Sequence, residues 1–506
     1  MKKAVFLSCI AFLYCLTGLP YLAFETFYDE GVMLTGAERI LHGDILYKDF
    51  WTAYPPGSFW LLSLAFKFFG ASLLVERILG ITLWSLLIGS IYLLAAKVMN
   101  SKKAFAVSCI ILIWMAKGTN YNYPVIPALF CIVCGTLFLD RSFQEKKRGP
   151  LFFVGMWGGM AILFRHDIGI TFLFVLLLLL FFDKRSLLPR ERLQRMLCLC
   201  GGGASILFPP LSYFFLQGAT KDIVNNLVLL PMTIYLKMAP IPIQLIGLQT
   251  ICLFCLTLFC LGWGIYFFSR FRQTRPWRSQ EYLALLLLLF SGPLLLRAML
   301  RLDLAHLFAP LSLSLLLAGY LLEQGAKKNK RNLLATGIIS ILIFFGLLPP
   351  LSSFASWLQS IYRPERYVYH LPRAQGFYHH PYFDSQEKAI RYIRSHVPST
   401  EKIYVGLTHH QKLIGNDALF YFLAERMPAT RYHELYPGIA TREDTQREIA
   451  RDLKKNQVRY VVLWNVPPPV SLPAHQKEGS PYLDEFIRTN YRVVASFHPY
   501  IILKKN

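Results

Sequence analysis

Asp29 and Glu30 stand side by side in Tyr28-Asp29-Glu30-Gly31, just after the first apolar stretch of the chain. They open a loop that closes on Tyr54-Pro55-Pro56-Gly57. Ionisable groups held close to lipid are costly, and in that setting they are functional candidates by default. A carboxylate beside a substrate hydroxyl can act as general base and make it a nucleophile. Two carboxylates can instead hold a divalent cation such as Mg or Mn. A structural reading competes with both: acids at the start of a helix over residues 32–41 are favourable by about 0.3–1 kcal/mol.

Two further segments carry reactive types. One is Phe164-Arg165-His166-Asp167-Ile168-Gly169, and the other holds Arg301-Leu302-Asp303-Leu304-Ala305-His306. Arg suits bidentate contact with phosphate. His166 and His306 could donate to an oxygen or orient a neighbour. Alternatively, Arg165–Asp167 and Arg301–Asp303 neutralise one another as structural pairs. Both segments are expected on the same external face as Asp29, which favours a shared active site. If a sugar is carried on a lipid phosphate, the leaving phosphate needs preorganised cations, a role for Arg165 and Arg301. The acceptor hydroxyl needs a base, a role for Asp29 with Glu30 in support. One in-line displacement inverts the anomeric centre and needs no second carboxylate nucleophile. Tyr54, at the end of the same loop, joins the expected substrate-binding group.

The elements that must position these residues are apolar. The chain has 506 residues, 54% of them hydrophobic and only 16% charged, against about 25% charged in soluble domains. This composition predicts a mainly α, polytopic membrane helical bundle. The spans are expected at residues 4–23, 73–96, 104–119, 124–139, 150–164, 168–182, 196–216, 243–268, 281–300, 304–322 and 333–350. The net charge of +23 does not indicate nucleic acid, because Lys and Arg cluster in short segments between apolar runs. Lys97/Lys102/Lys103, Arg141/Lys146/Lys147/Arg148 and Lys327/Lys328/Lys330/Arg331 are examples. With the N-terminus cytoplasmic, every inside segment is basic, as the positive-inside rule requires. Residues 58–69 are apolar but too few to span, so they are expected to lie in the interface or re-enter. Phe50, Trp51, Phe59 and Trp60 are then expected to hold the external loop 24–72 against the membrane.

From about residue 352 the composition turns soluble. Helices are expected at 385–396, 416–426 and 441–456, and strands at 402–407, 458–464 and 491–497. Alternation of this kind predicts a C-terminal extracytoplasmic α/β domain, so the domain boundary falls between residues 351 and 352. All ten cysteines lie in expected spans, so the fold needs no disulfide framework. The neighbouring pairs His379-His380 and His409-His410 are weak as metal ligands, since adjacent side chains diverge.

Several stretches resemble the GT-C superfamily of integral-membrane glycosyltransferases, and within it the bacterial branch related to protein O-mannosyltransferases and lipid A aminoarabinose transferases. They are Tyr28-Asp29-Glu30-Gly31, Leu41-His42-Gly43, Phe50-Trp51-Thr52-Ala53-Tyr54-Pro55-Pro56-Gly57, Phe69-Gly70, Glu76-Arg77, the Arg301–His306 segment and residues 418–426. The resemblance implies a polyprenyl-phosphate sugar donor, reaction at the extracytoplasmic side of the bacterial inner membrane, and a catalytic or metal-binding role for the first-loop acid, here Asp29. One departure is the next external loop, Gly118-Thr119-Asn120-Tyr121-Asn122-Tyr123-Pro124, which has no carboxylate where many relatives have one. Two other readings stand beside this one: a flippase or transporter of lipid-linked saccharides, and a polymerase or ligase of surface polysaccharide.

Overall fold

The computed structural model describes residues 2–16, 27–115, 122–145, 149–182, 189–233, 248–271, 279–300, 304–325, 367–379, 384–413, 415–466 and 479–506. The described helices run in order α1 (Lys2–Leu16), α2 (Asp29–Leu41), α3 (Gly57–Phe69), α4 (Leu73–Val98), α5 (Ser101–Met115), α6 (Val125–Glu145), α7 (Gly149–Phe164), α8 (His166–Phe181), α9 (Pro189–Leu216), α10 (Thr220–Val224), α11 (Leu230–Thr233), α12 (Leu248–Phe271), α13 (Ser279–Leu300), α14 (Leu304–Gly325), α15 (Asp384–His396), α16 (Leu419–Ala424), α17 (Glu443–Lys455) and α18 (Tyr482–Asn490). The strands are β1 (Tyr367–Val368), β2 (Tyr378–His379), β3 (Tyr404–Leu407), β4 (Tyr460–Trp464), β5 (Tyr491–Phe497) and β6 (Tyr500–Lys505). The chain divides into two compact units: residues 1–17, 80–213 and 235–363 form one, and residues 18–79, 214–234 and 364–506 the other.

Five described helices are long and apolar enough to cross a membrane: Leu73–Val98, Val125–Ser142, Pro189–Leu216, Ser279–Met299 and His306–Gln324. They coincide with five of the expected spans. The expected spans at 150–164, 168–182 and 243–268 fall on shorter apolar helices, Gly149–Phe164, His166–Phe181 and Thr250–Tyr266. The expected span 333–350 lies outside the described residues. Helices suit this setting because a lipid-facing backbone must satisfy its own hydrogen bonds.

Within the first unit, α7 and α9 touch backbone to backbone. A Cβ on Gly155 would come within 2.0 Å of the Leu199 carbonyl oxygen, and one on Gly202 within 1.9 Å of that of Phe152. Small residues at such a crossing let two helices gain dispersion contact in lipid. Acids tie the helix ends. Asp140 on α6 meets Lys97 of α4 at 3.0 Å and accepts from the Ser279 hydroxyl of α13 at 2.5 Å. Glu323 on α14 accepts from Lys103 and Asn100, each at 2.7 Å.

The second unit joins residues 18–79 to the C-terminal segment. Its sheet has the order β3-β4-β6-β5. Strands β3 and β4 are parallel, whereas β4–β6 and β6–β5 are antiparallel. Successive side chains face opposite layers, as the period of a strand dictates. Val405, Val462 and Ile502 point into a core shared with Val32 and Leu34 of α2, Phe59 and Leu62 of α3, Ile390 of α15 and all of α16. Tyr404, Val461 and Leu503 point into a second core with Ile449 of α17 and Leu483 of α18.

Helices α15, α16 and α17 and strands β3, β4 and β5 match the tail elements expected from the sequence, while α18 and β6 are additional. The aromatics expected to anchor the loop in lipid are packed instead. Phe50 and Phe59 are 0% exposed, and Trp51 is 5% exposed beside Tyr432 and Tyr436. The reason is the tail: it supplies a protein core that the loop sequence alone does not reveal. The exposed apolar groups of α3 are Leu64, Phe68 and Phe69.

Candidate active site around Asp29

Asp29 is the first residue of α2 and is half-buried. One of its oxygens, Oδ1, accepts from the Tyr54 hydroxyl at 3.2 Å. A donor at that distance fixes the carboxylate's orientation. The loop between them is held from inside: the Thr52 hydroxyl lies 3.3 Å from the Tyr54 amide, which donates to it.

Glu30 faces another way. It is wholly buried, and its two oxygens accept from Nε and Nη2 of Arg77 at 2.7 Å each. Arg77, in the first turns of α4, is 3% exposed, with Glu76 3.8 Å from its Nε. The adjacent acids thus have separate surroundings, one toward the loop surface and one in a closed ion pair. Both Glu30 oxygens are thus engaged by Arg77. Among the described residues, no group of three or more His, Cys, Asp and Glu side chains could hold a metal.

The C-terminal segment fixes this loop residue by residue. Glu434 is wholly buried. It accepts from the Tyr28 hydroxyl at 3.2 Å and from the Thr52 hydroxyl at 2.9 Å. Burial pushes its carboxyl up to about 8, and the nearby Asp29 charge acts in the same direction. The Thr35 hydroxyl donates to the Ala418 carbonyl at 2.9 Å. Arg39 donates to Asp44, to the Asp49 carbonyl and to the Thr430 carbonyl at 2.7–2.9 Å. Arg373 grips both oxygens of Glu38 at 2.7 and 2.6 Å. The Trp51 amide donates to the Arg431 carbonyl at 2.9 Å.

In the other unit, Arg165 sits in the single extended residue between α7 and α8, with φ −150° and ψ 97°. Its Nε donates to Asp167 Oδ1 at 3.2 Å, so the Arg–Asp pair weighed on sequence grounds is present. Asp167 also pairs through Oδ2 with Arg297, in the last turn of α13. Two guanidinium groups therefore share one carboxylate. His166 and His306 are half-buried at the starts of α8 and α14. Arg301 and Asp303 lie outside the described residues.

The structure thus brings Asp29 together with Tyr54, and Arg165 with Asp167. It adds residues the sequence did not single out: Arg77 as the partner of Glu30, Thr52 and Glu434 behind the loop, and Arg297 beside Asp167. Glu434 had a faint signal. It is the acid inside Tyr432-His433-Glu434-Leu435-Tyr436, an aromatic-rich run in an otherwise polar tail, and such an acid is usually buried with partners.

Residues 53–217 match the family model described as dolichyl-phosphate-mannose-protein mannosyltransferase. By sequence alone, no curated protein matches the chain. Solved structures do resemble it. ArnT from Cupriavidus metallidurans bound to undecaprenyl phosphate has a TM-score of 0.58 at 15% identity, covering 99% of this chain and 97% of that one. The archaeal oligosaccharyltransferase AglB from Archaeoglobus fulgidus, in complex with an inhibitory peptide and a dolichol-phosphate, has a TM-score of 0.50 at 14% identity, over 91% of this chain and 69% of that one. The fold of this chain resembles that of ArnT and of AglB.

Proposed function

We propose that this protein is an inverting glycosyltransferase of the bacterial inner membrane, moving a sugar from a polyprenyl-phosphate donor to an extracytoplasmic acceptor (a glycan, lipid or protein). Asp29 takes the proton of the acceptor hydroxyl. The freed oxygen forms the new bond to the anomeric carbon while the bond from that carbon to the phosphate oxygen breaks. The electron pair leaves with the phosphate, whose charge Arg165, Arg297 and Arg301 neutralise. His166, Asp167, His306, Asp303 and Tyr54 orient substrate groups around these. Glu30 acts through Arg77 by fixing the first turn of α2. The basic segments between apolar helices support a cytoplasmic N-terminus and an extracytoplasmic first loop.

The observation that carries this reading is the carboxylate of Asp29. It is half-exposed and oriented by Tyr54, in a fold shared with a protein solved with undecaprenyl phosphate. The test is transfer from a radiolabelled polyprenyl-phosphate sugar by the purified protein. Asp29→Asn should lower transfer by about 100- to 10,000-fold, the usual worth of a general base, with the melting temperature unchanged. Undiminished transfer in that variant would remove Asp29 as the base.

A further inference from the structure

We propose that Glu434, supplied by the C-terminal segment, is a positioning residue for Asp29: by holding Tyr28 and Thr52 together it fixes both the residue before Asp29 and the loop that carries Tyr54. This rests on the reading of Asp29 as the base. The geometry is a closed loop of contacts. Tyr28 immediately precedes Asp29, and its hydroxyl meets Glu434 Oε1 at 3.2 Å. Thr52 meets Oε2 at 2.9 Å, and the same hydroxyl takes the Tyr54 amide at 3.3 Å. Tyr54 then donates to Asp29 at 3.2 Å. The Tyr28 ring has little room to move, because Gly415, at φ +126°, lies against it. A Cβ there would come within 2.7 Å of the ring.

The groups that act on Glu434 are Tyr28 and Asp29 at the start of α2, and Thr52 and the Ala53 backbone in the loop; Tyr54 and Tyr436 reach it through Tyr28. None is a cation. Burial raises the Glu434 carboxyl to about 8, so at neutral pH it is a neutral acid. A neutral acid can sit behind Asp29 without repelling it. Ionisation above about pH 8 places a second negative charge near that of Asp29. The tail thus positions the base through Tyr28 and Thr52.

Two measurements on the intact protein in detergent test this. The first reads protonation without any reaction. The infrared band of a protonated carboxyl should be present at neutral pH and titrate away near pH 8, and it should be absent in Glu434→Gln. In Asp29→Asn its midpoint should move to lower pH, because the Asp29 charge holds it up. An unmoved midpoint would overturn the coupling. The second is transfer activity against pH. Glu434→Ala should lower kcat by about 100-fold, the scale of a misplaced catalytic group, with the KM for donor unchanged. Glu434→Gln, which keeps one donor and one acceptor, should recover most of that loss and abolish the alkaline fall seen in the wild type. An alkaline fall that survives in Glu434→Gln would overturn the proposal. Absent transfer in the wild type with the infrared coupling intact would instead fault the glycosyltransferase reading.

Discussion

Adjacent residues on a helix point about 100° apart, and that angle separates the two acids at the start of α2. Asp29 turns toward Tyr54 and Glu30 toward Arg77. The types and position of the acids were legible in the sequence, as was Tyr54 at the far end of the loop. The division of labour was not, because Arg77 is 47 residues from Glu30 and nothing local pairs them. The pair is now open to test. Glu30 and Arg77 are buried with both contacts at 2.7 Å. Removing one partner of such a pair strands a charge and costs roughly 3–5 kcal/mol. Arg77→Ala should therefore lower the melting temperature of the purified protein strongly, whereas Asp29→Asn should leave it in place and remove transfer. Equal melting temperatures for Arg77→Ala and wild type would show that the ion pair is not structural.

Elements of the tail were legible wherever periodicity was strong. Helices α15 and α17 carry buried Ile390, Ile393, Ile449 and Leu453 at spacings of three and four, the pattern of one apolar helix face. Helix α18 and strand β6 went unread because each is short and lies close to the chain end, where a helix of nine residues offers little periodicity. Helix α16 was found, but its function as a wedge was not. All six of its residues are buried, and its first turn meets α2 at Gly31. A Cβ on Gly31 would lie 2.2 Å from the Leu419 amide nitrogen. The obstacle is backbone, which cannot rotate away, and the Thr35–Ala418 hydrogen bond at 2.9 Å holds the two elements at that distance. Gly31→Ala should thus cost at least the roughly 1–3 kcal/mol of an overpacked core, read as a lowered denaturation midpoint. Gly292, where an added Cβ would meet nothing within 4 Å, should accept Ala without such a loss.

At the scale of the whole molecule, the composition change near residue 352 marked where soluble sequence begins. It did not reveal that residues 18–79 group with residues 364–506, because that grouping depends on contacts between segments more than 300 residues apart, such as Arg373 with Glu38. Those contacts bury several titratable groups in one unit, so its stability must vary with pH. Glu434 is raised from 4.5 to about 8 and Asp417 from 3.8 to about 6, both chiefly by burial. A raised acid keeps its proton in the folded state after the unfolded chain has released it. Stability then falls as pH rises from the unfolded to the folded value. His433 acts in the opposite sense: burial holds its pKa well below 6.5, so stability is lost as pH falls below 6.5 and the unfolded imidazole takes a proton. Between about pH 6.5 and 8, Asp417 and His433 no longer contribute a slope, and Glu434 is the group among these that still does. Over that interval the wild type should lose about 2 kcal/mol, at about 1.4 kcal/mol per pH unit. Glu434→Gln should lose little, so the two stability curves, measured by denaturation in the same detergent, should converge or cross as pH rises. Parallel curves across this window would mean that Glu434 is already ionised in the folded protein.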